Sequence, residues 1–303
     1  MDLSFIIVNW NTKKLLEQAI ASLYKYAQGV TYEIIVIDNG SVDGSPQMVA
    51  KKFPKVKLIK NSDNLGFAKA NNQGIKIASG EFIFLLNSDA YLIDDPIKNL
   101  VKRARQIENL GAIAPLVLNE NRSIQQSVGY MPDLWRIFLW MSFIDDLPLG
   151  DFLKPYHVDH DRFYKKEHKV DWLTGAALMV PKKVIDKVGP LDDNIFMYGE
   201  DVDWCMRIKK HGFDIYYSPV AKLIHIGRGS MGKISKNAIL GEYKGLLYIY
   251  QKHKGKLALQ ILRLLLKIGA LARILIFGAL GLACRQAGRK ETAKFYVEAL
   301  KMV

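Results

Sequence analysis

The chain has 303 residues, half of them hydrophobic, enough for one large domain with an appendage and a full core. Its two cysteines, Cys205 and Cys284, lie far apart in sequence and make neither a disulfide framework nor a metal-ligand spacing, which points to a reducing compartment. The net charge of +13 is uneven: residues 231–303 hold 14 Lys/Arg and 3 Asp/Glu, a net of +11, leaving 29 and 27, a net of +2, in the first 230. The basicity thus belongs to a C-terminal tail, whose candidate partners are nucleic acid or an anionic membrane surface.

Ser4–Val8 reads as a strand, broken at its carboxyl end by Asn9-Trp10-Asn11. The chain enters it without a basic n-region or a small-residue cleavage site, so no signal peptide is expected. Asn11 or Thr12 is placed to cap a helix in which Leu15, Leu16, Ala19, Ile20, Leu23 and Tyr24 keep helical spacing. Glu33–Ile37 is a second buried-type strand, and it ends in the polar loop Asp38-Asn-Gly-Ser41-Val-Asp43-Gly44-Ser45. Ser45-Pro46 supplies an N-cap and a proline at the first helical position. Val56–Ile59 makes a third strand, and the segment from Asn61 to Phe67 leads into a helix that reaches Ala78 and stops before Gly80. The fourth strand, starting at Phe82, is a short apolar run that ends abruptly in Asn87-Ser88-Asp89. Asp95-Pro96 starts another helix, and Gly111–Leu118 makes a further strand.

Strands alternating with helices at this pace predict an α/β fold with a doubly wound, mostly parallel sheet. Such sheets bind ligands at the carboxyl edge of their strands, and the loops at Asn9, Asp38 and Asp89 all fall on that edge. Taken alone, Asn87 and Asp89 serve equally well as caps of the next turn. The first strand is not followed by Gly-x-Gly-x-x-Gly, and the chain has no phosphate-loop Gly-Lys-Ser/Thr, which removes the dehydrogenase and P-loop classes.

Residues 130–170 are less regular, with Trp135, Trp140, Asp145, Asp146 and His157-Val-Asp-His160. Nothing fixes a metal geometry on those histidines, so a loop covering an acceptor is the expectation. Asp171–Val180 is a strand-like run holding Gly175, which invites close backbone approach, and Pro181 opens a short helix. From Glu200 the pattern is helical, with Asp201, Trp204, Cys205 and Ile208 on one side and an Asp203–Arg207 pair. Acids at a helix start suit its dipole, but that does not account for Phe196 and Tyr198 just before them. Asp214–Tyr217 and Lys222–Ile226 follow as strands; His225, on the second, reads either as a packed core histidine or as a ligand. In the tail, Asn237–His253 is helical with Tyr243, Leu246, Leu247 and Tyr250 on one face. Leu257–Cys284 is rich in Leu and Ile but interrupted by Arg263, Lys267 and Arg273, and its longest uncharged run, Ile274–Cys284, is far short of the ~20 residues of a membrane span. An amphipathic helix or hairpin lying in the interface fits this pattern, as does a helix packed on the rest of the chain. Its Leu/Ile content suits a membrane surface better than nucleic acid. Gly288–Leu300 makes a last basic helix.

Six segments together resemble glycosyltransferase family 2, in the order seen there, over about residues 3–230. They are Ile34-Ile-Val-Ile-Asp38-Asn-Gly-Ser41-x-Asp43-Gly44-Ser45, Asn61-x-x-Asn64-Leu-Gly66-Phe-Ala-x-Ala-Asn71, Leu86-Asn87-Ser-Asp89, Thr174-Gly175-Ala, Met197-Tyr198-x-Glu200-Asp201-x-Asp203, and His225. The chain looks most like the bacterial rhamnosyltransferase-type branch. The resemblance implies a GT-A domain over residues 1–230 and transfer with inversion from a nucleotide-sugar donor; the charge and periodicity above make residues 231–303 a basic amphipathic helical tail. By that resemblance Asp38 bonds a pyrimidine ring, Asn9, Asn11, Asn39 and Ser41 line the same pocket, and Asn64, Gly66, Phe67 and Asn71 cover base and ribose. Asn87, Ser88 and Asp89 then meet the diphosphate. Asp89 takes the part of the family's DxD motif, and His225 completes the coordination of Mn²⁺ or Mg²⁺. Asn87 stands where the family has the first acid, a departure that predicts weaker metal binding. Asp201 matches the base, its pKa expected to be raised by neighbouring Glu200, which orients the acceptor. Trp172, Thr174, Gly175 and Tyr198 fall on the acceptor side. The expected donor is dTDP-rhamnose, and the expected acceptor is a glycan or polyprenyl-linked sugar in cell-surface polysaccharide synthesis. The place of action is cytoplasmic, peripheral on the inner face of the cell membrane, with no nucleic-acid partner. A UDP-hexose or UDP-galactofuranose donor, or a nucleotide-sugar-binding protein with a weakened site, are the alternatives.

Overall fold

The computed structural model describes residues 1–93, 97–145, 153–227, 236–283 and 287–303. The predicted helix start at Asp95-Pro96, together with Asp146 and Cys284, lies outside the described residues. The chain forms two compact units. The first comprises Met1–Gly129, Asp159–Phe196 and Glu200–Gly227; the second comprises Tyr130–Val158, Met197–Gly199 and Arg228–Val303.

β1 (Leu3–Asn9), α1 (Lys13–Tyr26), β2 (Tyr32–Asn39), α2 (Ser45–Lys52), β3 (Lys57–Asn61), α3 (Phe67–Ile77) and β4 (Phe82–Leu86) alternate strictly. After them come β5 (Ala90–Leu92), α4 (Lys98–Gln106), β6 (Leu110–Leu118), β7 (Val128–Gly129) and α5 (Leu134–Met141). β8 (His168–Val170), β9 (Trp172–Leu173), β10 (Ala177–Pro181), α6 (Lys182–Val188), α7 (Glu200–Lys210) and β11 (Asp214–His225) follow. The chain closes with α8 (Lys236–His253), α9 (Gly255–Ala283) and α10 (Ala287–Met302).

The central sheet of the first unit runs β3-β2-β1-β4-β10-β6-β11-β5, with β8 also paired to β11. The β1, β2, β3 and β4 strands are mutually parallel, and β6 is parallel to β11; β10 runs against β4 and β6, and β5 and β8 run against β11. The apolar runs noted above are continuous because both faces of the inner strands are covered. Leu3, Phe5 and Ile7 of β1 join Leu16, Ile20, Val36, Val49, Phe84 and Leu100 in one core cluster. Ile6 and Ile37 face α3 instead, where only a glycine fits: a Cβ on Gly74 would lie 2.6 Å from Ile6 and 2.9 Å from Ile37.

Several elements differ from the sequence-based expectation. α2 starts with Gly44, not Ser45, at its N-cap; Gly44 has φ +82°, and Ser45 is drawn back by Asp43, which accepts from its amide and its hydroxyl. The Asp171–Val180 run splits into β9 and β10 around Thr174–Ala176. The strands at Asp214 and Lys222 are one strand, β11, with an irregularity between Tyr217 and Lys222 where Pro219 cannot donate to the ladder. β5 is an extra short strand after Asp89, and its partner is β11.

The second unit is helical. Tyr243, Leu246, Ile249 and Tyr250 of α8 are buried, as are Leu262, Leu266, Ala270 and Arg273 of α9. Arg273 is therefore not part of a solvated polar face: it caps the C-terminus of α5, donating to Trp140 O at 2.7 Å and Met141 O at 2.9 Å. Its guanidinium also lies over the Phe143 ring at 4.3 Å. The α9 segment is a single helix without a hairpin break. Leu257, Ile261, Leu264, Ile268, Leu271 and Leu275 of α9 are exposed, spaced alternately four and three residues apart, while Lys256, Arg263 and Lys267 are exposed beside them. No helix among the described residues is long and apolar enough to cross a membrane. The histidines of the irregular region have acidic neighbours: His157 Nε2 is 2.9 Å from Glu242, and His160 Nδ1 is 3.3 Å from Asp159.

Candidate active site

The register of β1 on β2 sets Asn9 opposite Asp38 at the carboxyl edge of the sheet. Both are buried, and Asn9 Nδ2 donates to Asp38 Oδ2 at 2.9 Å and to Ser41 Oγ at 3.0 Å. The second Asp38 oxygen accepts from the Ser41 amide at 2.9 Å. Asn11 adopts φ +54°, a conformation asparagine tolerates, so that its amide reaches Ser41 Oγ at 2.9 Å and its Oδ1 accepts from Val42 N at 2.9 Å. Thr12 is the N-cap of α1, yet its hydroxyl makes no cap bond; it donates to Asn9 Oδ1 at 2.7 Å and sits 2.8 Å from Ser88 Oγ. A loop at each of three strand ends is thereby tied into one network.

Asn39 extends this floor, donating to Gly66 O at 3.1 Å and Asn64 Oδ1 at 3.3 Å. Gly66 has φ +85°, and a Cβ there would fall 2.6 Å from Phe196 O, so the approach of Phe67 N to Phe196 O at 2.7 Å depends on the glycine. Asn71 turns its amide back on α3, donating to Phe67 O at 2.9 Å.

After β4 the chain turns tightly, with Ala90 N bonded to Asn87 O, and β5 then runs against the end of β11 with Ala90 opposite His225. Asp89 Oδ1 lies 3.2 Å from His225 Nε2, and Asn87 Nδ2 also lies 3.2 Å from that nitrogen. Burial opposes the charge on Asp89, but the hydrogen bond and charge of His225 outweigh it and hold the carboxyl below its usual range. Among the described residues no group of three or more His, Cys, Asp or Glu is placed to hold a metal ion. A carboxylate oxygen and an imidazole nitrogen 3.2 Å apart fit a divalent cation of the Mn²⁺ or Mg²⁺ kind, which takes one or two protein ligands and leaves its other positions to phosphates and water.

The Thr174–Ala176 break between β9 and β10 connects this turn to α7. Asn87 N donates to Ala176 O at 3.0 Å, and Gly175 N donates to Asp201 Oδ2 at 3.0 Å. Asp201 Oδ1 accepts from Val202 N at 2.8 Å. Thr174 is held by its amide on Ser127 O, and Trp172 is buried in β9. Glu200 is buried at the start of α7, where Glu200, Asp201 and Asp203 all meet the positive end of the helix. Asp203 forms the predicted pair with Arg207 at 2.8 Å. Burial pushes the Cys205 thiol up to about 12, so it is no nucleophile at neutral pH. Tyr198 belongs to the second unit, at φ +69°, with its ring against Gly241.

Two residues that carry the site were missed in the sequence. Thr12 reads there only as a cap, and Gln125, in the turn after β6, carries no charge and no motif; its Oε1 lies 2.6 Å from His225 Nδ1.

Comparison with known proteins bears on the family and the fold. The chain is 28% identical over 265 residues, 84% of itself and 85% of the relative, to an N-acetylglucosaminyl-diphospho-decaprenol L-rhamnosyltransferase from Mycobacterium tuberculosis. It is 28% identical over 229 residues, 74% of itself and 67% of the relative, to the low-salt glycan biosynthesis hexosyltransferase Agl10 of Haloferax volcanii. A solved mannosyltransferase from Pyrobaculum calidifontis, in complex with GDP-Man and Mn²⁺, is similar with a TM-score of 0.58 at 17% identity, covering 98% of this chain and 85% of that one. GalNAc-T7 with UDP, GalNAc and Mn²⁺ is similar at TM-score 0.58 and 15% identity over 82% of this chain and 47% of that one. At these identities the solved structures speak for the fold, and the expected GT-A architecture holds. The sequence profile described as "Glycosyl transferase family 2" matches residues 4–168, more than half of the sequence, and the chain belongs to that family.

Proposed function

We propose that the chain moves a sugar, with inversion, from a nucleotide diphosphate to a hydroxyl of a glycan or lipid-linked acceptor during cell-surface polysaccharide synthesis, with dTDP-rhamnose as donor. One observation carries this reading: the 174–176 strap holds Asn87, beside Asp89 and His225, through Ala176, and holds Asp201 through Gly175. A candidate diphosphate anchor and a candidate base are thus set on opposite ends of one short backbone segment. Direct displacement needs that pairing, since the acceptor hydroxyl must lose its proton on the face away from the leaving diphosphate, through an oxocarbenium-like transition state. Asp201 takes that proton and Glu200 orients the acceptor. Asp38, with Asn9, Asn11, Asn39 and Ser41, receives the pyrimidine, and Asn64, Gly66, Phe67 and Asn71 border base and ribose. Ser88 lies on the diphosphate side, and Trp172, Thr174, Gly175 and Tyr198 serve the acceptor. Asp89 and His225 would hold a Mn²⁺ or Mg²⁺ that, when bound, neutralises the charge developing on the diphosphate.

Rhamnose as the sugar is supported by the M. tuberculosis relative, which matches most of both chains. The hexosyltransferase Agl10 favours a second reading with a hexose donor. Thermal-shift titration with dTDP-rhamnose, UDP-glucose, UDP-galactofuranose and GDP-mannose in the presence of Mn²⁺ separates them; stabilisation by a UDP-hexose and not by dTDP-rhamnose sinks the first.

The same reading places the enzyme on the inner face of the cell membrane through α9. The exposed Leu/Ile stripe of that helix is flanked by Lys256, Arg263 and Lys267, and no acidic residue occurs between Glu242 and Glu291. An anionic lipid surface complements both features. Sedimentation of the full chain with phosphatidylglycerol vesicles, but not with phosphatidylcholine vesicles, is expected. Loss of that binding in a Leu264→Glu/Ile268→Glu variant is also expected, and equal sedimentation of variant and parent refutes the placement.

A further inference from the structure

His225 ends β11 with its side chain nearly buried, and each ring nitrogen faces a different group. Nε2 looks to Asp89 and Asn87; Nδ1 lies 2.6 Å from Gln125 Oε1. Which nitrogen carries the proton follows from the other end of the Gln125 amide. Its Nε2 donates to Asn119 Oδ1 at 2.8 Å and to the His225 carbonyl at 3.2 Å. Both are acceptors, so a reversed amide would set oxygen against two oxygens. Asn119 is fixed in turn, because its Nδ2 donates to Ser123 Oγ at 2.9 Å and to Ile124 O at 3.3 Å, which leaves Oδ1 for Gln125. The chain of amides ends on a backbone carbonyl and has one orientation. The backbone holds it: Gln125 N bonds Val117 O, and Asn119 N bonds Ser123 O.

Gln125 Oε1 is therefore an acceptor, and the neutral His225 ring answers it with Nδ1–H. Its lone pair is then on Nε2, where Asn87 Nδ2 lies 3.2 Å away as a donor; the Nε2–H bond to Asp89 belongs to the protonated ring. We propose that Gln125 is a positioning residue which, anchored by Asn119, holds His225 as the Nδ1–H tautomer so that Nε2 is presented to a divalent cation shared with Asp89. An imidazole that binds metal through one nitrogen commonly donates from the other to an outer partner, and loss of that partner weakens metal binding by about 10–100-fold. This inference rests on the reading that Asp89 and His225 hold the metal.

The test reads the tautomer directly. In metal-free, ¹⁵N-labelled protein at a pH where the ring is neutral, the imidazole correlation spectrum should show His225 protonated at Nδ1. Gln125→Met removes the acceptor at nearly constant size and should move His225 to the Nε2–H tautomer. It should also weaken Mn²⁺ binding in the presence of UDP or dTDP, read by electron paramagnetic resonance, by about 10–100-fold. Gln125→Glu keeps an acceptor for Nδ1 while losing both donations of the amide, and should retain the Nδ1–H signature and Mn²⁺ binding within a few-fold of the parent. A merely structural Gln125 would show the reverse, with Met tolerated and Glu disruptive. Wild-type His225 protonated at Nε2, or Met and Glu variants alike in tautomer and Mn²⁺ affinity, overturns the inference. Failure of the parent to bind Mn²⁺ while His225 shows Nδ1–H would instead remove the metal assignment, so the two failures are distinguishable.

Discussion

Asp201→Asn separates chemistry from binding in this site. The carboxylate of Asp201 accepts from two backbone amides, Gly175 N at 3.0 Å on Oδ2 and Val202 N at 2.8 Å on Oδ1. An asparagine fills the same space but keeps one acceptor oxygen, so its NH₂ group must face one of those N–H groups. An unmatched donor of this kind costs about 1–3 kcal/mol, seen as a fall of several degrees in Tm. The catalytic effect is expected to be larger: removal of a general base lowers kcat by about 10²–10⁴-fold, or about 3–5 kcal/mol of barrier. The proposed nucleotide pocket around Asn9 and Asp38 is built from other bonds, so its affinity should be unchanged. Single-turnover transfer and calorimetric titration with UDP or dTDP, on one preparation, measure both. A kcat loss smaller than tenfold, or loss of nucleotide binding together with activity, refutes the base assignment.

Asp89→Ala should abolish Mn²⁺-dependent enhancement of UDP or dTDP binding while metal-free affinity stays within a few-fold, measured by calorimetry with and without Mn²⁺. Burial opposes the charge of Glu33, but Lys57, Ser4 and Ser79 outweigh it, and its carboxyl titrates at about 2 against an ordinary 4.5. The folded value is the lower one, so its contribution of about 2–3 kcal/mol is complete above pH 4.5 and fades as pH falls toward 2; Glu33→Gln should flatten acid unfolding followed by circular dichroism in that window. Arg273→Met should cost about 2–4 kcal/mol, seen in thermal unfolding, because it uncovers the Trp140 and Met141 carbonyls.

The alternating half of the fold was legible because it obeys local rules. Runs such as Phe5–Val8 and Ile34–Ile37 are apolar throughout only when both faces are covered, and the polar residues that end them mark the ligand edge. What sequence periodicity cannot reveal is pairing between distant segments. β5 is three residues long and exists because β11 accepts it; β10 enters between β4 and β6 against their direction. The choice left open at Arg273 has the same cause: a cation in an apolar helix is compatible with a surface or a packed face, and only the nearby end of α5 makes it a cap. In the site, Asn9, Asp38, Asp89 and Asp201 carry charge or end strands and were visible, whereas Gln125 acts through a neutral amide and was not.

The rung that joins Ala90 to His225 has a further consequence. Asp89 O accepts from Ile226 N at 2.9 Å, so the two candidate ligands are neighbours across paired strands although most of the sheet separates them in sequence. Their separation is fixed by backbone pairing, and loops lengthened or shortened between them leave it untouched. A slip of one residue between β5 and β11, by contrast, turns the imidazole to the other face of the sheet. The proposed base and ribose residues lie within the first 71 residues, whereas the proposed cation pair waits for residue 225. On the proposed assignment, a chain emerging N-terminus first therefore has its nucleoside residues before it has the means to anchor the diphosphate.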